Sequence, residues 1–167
     1  MKLPKEKQTS LGLYVTSTEA YEIWKDSPKK VKVLDVRTLD EYINIGHAKM
    51  AWNIPGFLQT YNWDAEKNCF SFKMNDDFIK HVQEVCKPED IILVTCRSGG
   101  RSAFVVNLLD KLGYKFAYNI TDGFEGDTVT DPESLYQGQR LKNGWKNSGL
   151  PWTFKVDPKL MRVPTHR

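Results

Sequence analysis

The run Cys96-Arg97-Ser98-Gly99-Gly100-Arg101-Ser102 brings one thiol, two guanidiniums and two glycines into a single short stretch. The thiolate is the nucleophilic form of cysteine, and neighbouring cations favour it over the thiol. Arg97 and Arg101 stand one and five residues after the sulfur. Glycines let a loop curl until its backbone N–H groups point inward as an anion cradle, which Cβ atoms at both Gly99 and Gly100 would resist. Cys96 is therefore the candidate nucleophile, and Arg97, Ser98, Gly99, Gly100, Arg101 and Ser102 are the candidate substrate-binding residues. Arg101 can bind a substrate's oxygens or turn back to brace the loop, and spacing alone does not separate the two.

The flanking sequence sets where this loop stands. Ile91-Ile92-Leu93-Val94-Thr95 reads as a buried strand, and the residues from Ser102 onward place Ala103, Val106 and Leu109 or Leu112 on one helical face. The sulfur then sits at a strand's carboxyl end, facing a helix N-terminus whose unsatisfied amides and dipole attract negative charge. Thr16-Ser17-Thr18-Glu19 and Thr38-Leu39-Asp40-Glu41 have the spacing of capping boxes and start two further helices. Strands are predicted over Val31–Val36, Met50–Ile54 and Phe116–Ile120, with a helix over Asp77–Cys86. Strands alternating with helices predict an α/β fold with a mainly parallel central sheet covered by helices on both faces. Ligands in such sheets bind beyond the strand carboxyl ends, the edge that holds Cys96.

Cysteine phosphatases also hold a thiolate in an anion loop, in the pattern Cys-x5-Arg, but that arginine position is Ser102 here. The loop is one residue shorter and suits a phosphate or arsenate ester poorly. Its form, Cys-Arg-x-Gly-x-Arg over Cys96–Arg101, resembles instead the active loop of the single-domain rhodanese sulfurtransferases. Val33-Leu34-Asp35-Val36-Arg37 with Glu41-Tyr42 and Gly46-His47-Ala48 through Asn53-Ile54-Pro55 resembles that family's amino-terminal signature, and Gly144-Trp145 through Pro151-Trp152 its carboxyl-terminal one. The resemblance implies a rhodanese-like fold and transfer of a sulfane sulfur, from thiosulfate or a related persulfide or polysulfide, through a persulfide on Cys96. It implies a thiol, cyanide or a protein as acceptor and no metal or organic cofactor. A sulfur-carrier or regulatory module acting with a protein partner is the alternative. Gly56–Asp76 and Glu125–Asn143 are longer connections than the family's minimal domain needs.

The chain has 167 residues, a size that suits one domain, expected over 16–154 with an extension before it (1–15) and a tail after it (155–167). A formal charge of +3, with basic residues spread among acidic ones, gives no nucleic-acid stripe. Three cysteines at irregular spacing give neither a disulfide framework nor a metal site, and Cys69 and Cys86 are read as bystanders. No stretch has the apolar length of a membrane span or of a secretory leader, so a cytoplasmic location is expected, or a periplasmic one if a leader was removed. Asp35 and Arg37 are expected to form a structural ion pair or turn cap, and His47 to be packed and hydrogen-bonded. The long connections are read as loops. Their aromatic residues Tyr61, Trp63 and Tyr136 either wall the site or pack down as local clusters.

Overall fold

The computed structural model describes residues 2–165. In chain order the strands are β1 (Tyr14–Val15), β2 (Val31–Asp35), β3 (His47–Ala48), β4 (Trp52–Asn53), β5 (Phe57–Asp64), β6 (Cys69–Met74), β7 (Ile91–Thr95), β8 (Ala117–Ile120) and β9 (Trp152–Thr153). The helices are α1 (Ser17–Asp26), α2 (Leu39–Asn44), α3 (Phe78–Val85) and α4 (Gly100–Lys111). Both predicted capping boxes are present: Thr16 with Glu19 opens α1, and Thr38 with Glu41 opens α2. The central sheet runs β1-β8-β7-β2-β4 with every neighbouring pair parallel. Its edge strand β1 comes from the segment expected to be an extension, which begins at Met1; the expected tail ends at His166 and Arg167, and these three residues lie outside the described ones.

The two-residue alternation of a strand sorts the core. Ile92 and Val94 pack with Phe78 and Val82 of α3 and with Val105, Val106 and Leu109 of α4. Leu93 packs on the opposite side with Val31, Val33, Ala20 and Tyr42, under α1 and α2. Leu112 is 36% exposed, so Leu109 is the residue that closes the buried face of α4. The same parity continues past β7 and puts Cys96 on the α4 side with Ile92 and Val94. The chain leaves β2 through α2 toward β4 and leaves β7 through α4 toward β8. The connections therefore diverge between β2 and β7, where such sheets form their ligand crevice.

One expected loop is a different structure. Within Gly56–Asp76, β5 and β6 form an antiparallel hairpin with a register shift between Gln59 and Trp63. Cys69 therefore opens a strand instead of lying in a loop. The hairpin turn has no glycine, and Asn68 takes the positive φ, a conformation that asparagine tolerates well. The second connection, from Glu125 to Asn143, is an irregular arch, as expected. It is tied across by Val129 N–H to Gln139 O (2.8 Å) and Gly138 N–H to Val129 O (2.9 Å).

Candidate functional site

Cys96 follows β7 directly and is 1% exposed. The Gly99 amide donates to its Sγ from 3.1 Å, and the Ser102 hydroxyl lies 3.3 Å from the same atom. Gly99 has φ +101°, in the left-handed region that glycine enters without strain. A Cβ there would stand 2.4 Å from the Thr121 carbonyl oxygen, so both conformation and space require glycine. The matching expectation for Gly100 is corrected. A Cβ at Gly100 meets nothing within 4 Å, and the residue is the first of α4 with ordinary backbone geometry.

The two arginines part company. Arg101 makes a two-pronged ion pair with Glu41, Nη1 to Oε2 at 2.7 Å and Nη2 to Oε1 at 2.6 Å, above the Phe72 ring. Of the two roles left open by spacing, the geometry has Arg101 in the bracing arrangement, its donors on that side held by a carboxylate that also accepts from the Thr38 amide and hydroxyl. Burial would raise the Glu41 carboxyl, but the Arg101 hydrogen bonds and charge outweigh it and hold the group below the usual range. Arg97 is exposed, and among the described residues its guanidinium has no hydrogen-bond or ion-pair partner. Ser98 is half-buried.

Ser102 is fully buried beside the sulfur. Its hydroxyl also reaches Asn119 Oδ1 at 2.7 Å, while Asn119 Nδ2 donates to the carbonyls of Gly99 and Lys7, both at 3.0 Å. Both sides of the Asn119 amide are thereby used, and the single Ser102 proton is shared between Asn119 and the sulfur. Asp35 and Arg37 form a fully buried ion pair (2.6 Å), and Arg37 also donates to Gly46 O and stacks 4.3 Å from the Phe124 ring. Burial works against the Arg37 charge, but Asp35 outweighs it and keeps the guanidinium firmly protonated. His47 is buried, bonded to the Tyr42 carbonyl and stacked on the Tyr42 ring. Cys86 is buried, and that burial pushes its thiol up to about 12.

The back of the loop rests on residues 122–126. Phe124 N–H donates to Cys96 O (2.8 Å), and Glu125 and Gly126 N–H both donate to Arg97 O. A Cβ on Gly123 would stand 2.6 Å from the Arg97 carbonyl, so the two backbones touch. From the arch that follows, Arg140 donates to Gly126 O at 2.8 Å. Partial burial and then repulsion from Arg97 weaken its hold on its proton, while Glu125, Asp127 and Cys96 act the other way. Arg140, Asn119 and Lys7 are residues that sequence reasoning missed. Trp63 packs edge-on against Phe70 within the hairpin and Tyr61 is 95% exposed, so neither walls the sulfur. Among the described residues no group of three or more His, Cys, Asp or Glu is arranged to hold a metal ion, and no helix is long and apolar enough to cross a membrane.

The sequence model of the rhodanese-like domain matches residues 17–128. The chain is 31% identical over 140 residues to an uncharacterized Rickettsia rickettsii protein, the RP600 homolog, covering 84% of this chain and 96% of that one. It is 33% identical over 119 residues to thiosulfate sulfurtransferase 18 of Arabidopsis thaliana, covering 65% and 81%. The crystal structure of Rv0390 from Mycobacterium tuberculosis is similar at 25% identity with a TM-score of 0.64, covering 84% of this chain and 96% of that one.

Proposed function

Because this chain belongs to the rhodanese-like domain family, we propose that it is a sulfurtransferase that moves a sulfane sulfur to a thiophilic acceptor through a persulfide on Cys96. The observation that carries the reading is the Gly99 amide directed at the Cys96 sulfur from 3.1 Å, at the head of α4. The named activity of the Arabidopsis relative supports thiosulfate, or a related persulfide or polysulfide, as donor.

The Cys96 thiolate attacks the outer sulfur of thiosulfate. A bond forms between the two sulfurs, the original S–S bond breaks, and its electron pair leaves with sulfite. The terminal sulfur of the new persulfide carries the negative charge. The Gly99 amide and the first amides of α4, which lack intrahelical acceptors, stabilise that charge without reorganising. Arg97 and Arg140 attract the charged donor and the departing sulfite. Cyanide or a thiol then attacks the terminal sulfur, giving thiocyanate or a new persulfide and returning the thiolate, so one difficult step becomes two easier ones. Phosphate-ester chemistry fits the loop less well, because Ser102 stands where that chemistry needs a guanidinium and Arg101 is held by Glu41.

The test is intact-mass measurement after incubation with thiosulfate, with polysulfide and with a phosphate ester. A gain of one sulfur in the parent protein, absent from a folded Cys96→Ser variant, is the expected result. No sulfur gain from either donor, or a gain that survives in Cys96→Ser, overturns the reading.

A further inference from the structure

Residues 2–15 precede the region matched by the family model, yet they reach the sulfur loop from behind. Lys7 closes a short 3-10 turn over Lys5–Lys7 and is only 8% exposed, unusual for a lysine. Its Nζ donates to Thr121 O (2.8 Å) and to Asp127 Oδ1 (2.7 Å). Its backbone carbonyl accepts from Asn119 Nδ2, the same nitrogen that holds Gly99 O. Its Cδ lies 3.2 Å from the point where a Cβ on Gly99 would stand. The remaining face of Asn119 holds Ser102, beside the sulfur.

We propose that this segment is a working part of the Cys96 loop and that Lys7 is its positioning residue. Gly99 is the pivot. Its N–H faces Sγ, its carbonyl is held by an amide that Lys7 also holds, and the Lys7 stem fills the space behind its Cα. The ammonium meanwhile anchors Asp127, next to Gly126, whose N–H binds Arg97 O. One residue thus steadies both shoulders of the loop, its ammonium through Asp127 at the Arg97 side and its stem, with its main-chain carbonyl, at Gly99. Loss of that support lets the Gly99 amide swing off the line of the developing charge.

The inference rests on the sulfurtransferase reading for its assay but has a separate readout. In the full chain, Lys7→Ala is expected to lower kcat for sulfur transfer from thiosulfate by between about tenfold and a hundredfold, the usual effect of a displaced catalytic group. KM should change little, because Arg97 and Arg140 remain. Lys7→Arg, which keeps both stem and charge, should restore most of the rate. Alkylation of Cys96 by uncharged iodoacetamide, read peptide by peptide so that the exposed Cys69 is counted apart, should slow in Lys7→Ala and recover in Lys7→Arg. If Lys7→Ala does not fold, Asp127→Asn loosens the same clip and should lower kcat in the same direction. A parent protein that forms no persulfide defeats the functional reading alone, and the alkylation rates then judge Lys7. Folded Lys7→Ala or Asp127→Asn protein with parental kcat and parental alkylation rate overturns the inference, as does an equal loss in Lys7→Arg.

Discussion

The two long connections of this chain approach the same loop and are held in opposite ways. The β5–β6 hairpin is regular, tied by its own ladder, and leaves Tyr61, Trp63, Phe70 and Phe72 substantially exposed. It meets Arg101 through Phe72 and the outer face of α4 through Phe57, whose ring lies 5.4 Å from that of Phe104. The arch after Glu125 forms no strand among the described residues and is tied across by backbone bonds at Val129 and at Asp127. It is fixed by side chains that meet carbonyls, with Asn147 Nδ2 facing those of Glu125, Arg140 and Asn143 at 2.8–2.9 Å, and by backbone approaches that only glycine permits. Regular hydrogen bonding makes an element independent of its neighbours, whereas irregular backbone must borrow partners and so becomes part of whatever it borrows from. The hairpin should tolerate change, and the arch should transmit it to Cys96.

The sharpest way to break that contrast is Gly126→Ala. Gly126 has φ +89°, and a Cβ there would stand 1.9 Å from Asn143 O, backbone that cannot turn aside. The expected loss is on the order of 3 kcal/mol or more in denaturant unfolding, with sulfur transfer falling in the protein that remains folded. Gly138 at the arch tip also has positive φ but open space, so Gly138→Ala should cost only about 1–2 kcal/mol of backbone strain. Equal effects at the two positions would mean that the arch is not seated as described.

Glu41→Gln tests the brace that α2 makes on Arg101, beside the hairpin's Phe72. Removing the charge from this mostly buried pair should cost about 1.5–3 kcal/mol. The pH dependence has a definite sign. The folded-state value of Glu41 is depressed, so the brace is complete above the ordinary glutamate range and is lost as pH falls through the lowered value. Thermal melts of parent and Glu41→Gln should therefore converge in acid and separate toward neutrality. Parallel curves across that range would remove Glu41 from the loop's support.

Arg97→Ala and Arg140→Ala compare a residue of the loop with one of the arch. A guanidinium that hydrogen-bonds an anion contributes about 1.5–3 kcal/mol, so Arg97→Ala should lower kcat/KM for thiosulfate by a factor of about 10–150, and less for an uncharged sulfur donor. Arg140 is shared with Gly126 O and should have a smaller effect with the same donor preference. Charged and uncharged donors impaired equally would show that these side chains shape the loop instead of meeting the donor. Trp63→Ala in the hairpin should do least, costing about 0.5–1.5 kcal/mol beyond lost burial and leaving transfer unchanged. A loss of transfer in Trp63→Ala would erase the contrast between the two connections.

What was legible in the sequence was local. Ile91–Thr95 with the loop and α4, and the Thr16/Glu19 and Thr38/Glu41 boxes, lie within a few residues of the signals that announce them. The hairpin was not read because its turn lacks glycine, its register shifts, and both its faces are largely exposed, which blurs the alternation of a half-buried strand. Arg101 had two open roles because its partner is 60 residues away. Lys7 and Asn119 carry no local mark at all, their contact spanning 112 residues.

The Glu41 carboxylate closes the first turn of α2 and also grips Arg101. A single carboxylate serving two elements joins their local opening. When α2 frays at Thr38, the loop loses its brace in the same event, so the Thr38 amide and the amides at the head of α4 should exchange with solvent deuterium as one cooperative unit. The chain segment that prepares the sulfur would then have its lifetime set by a helix cap some sixty residues earlier.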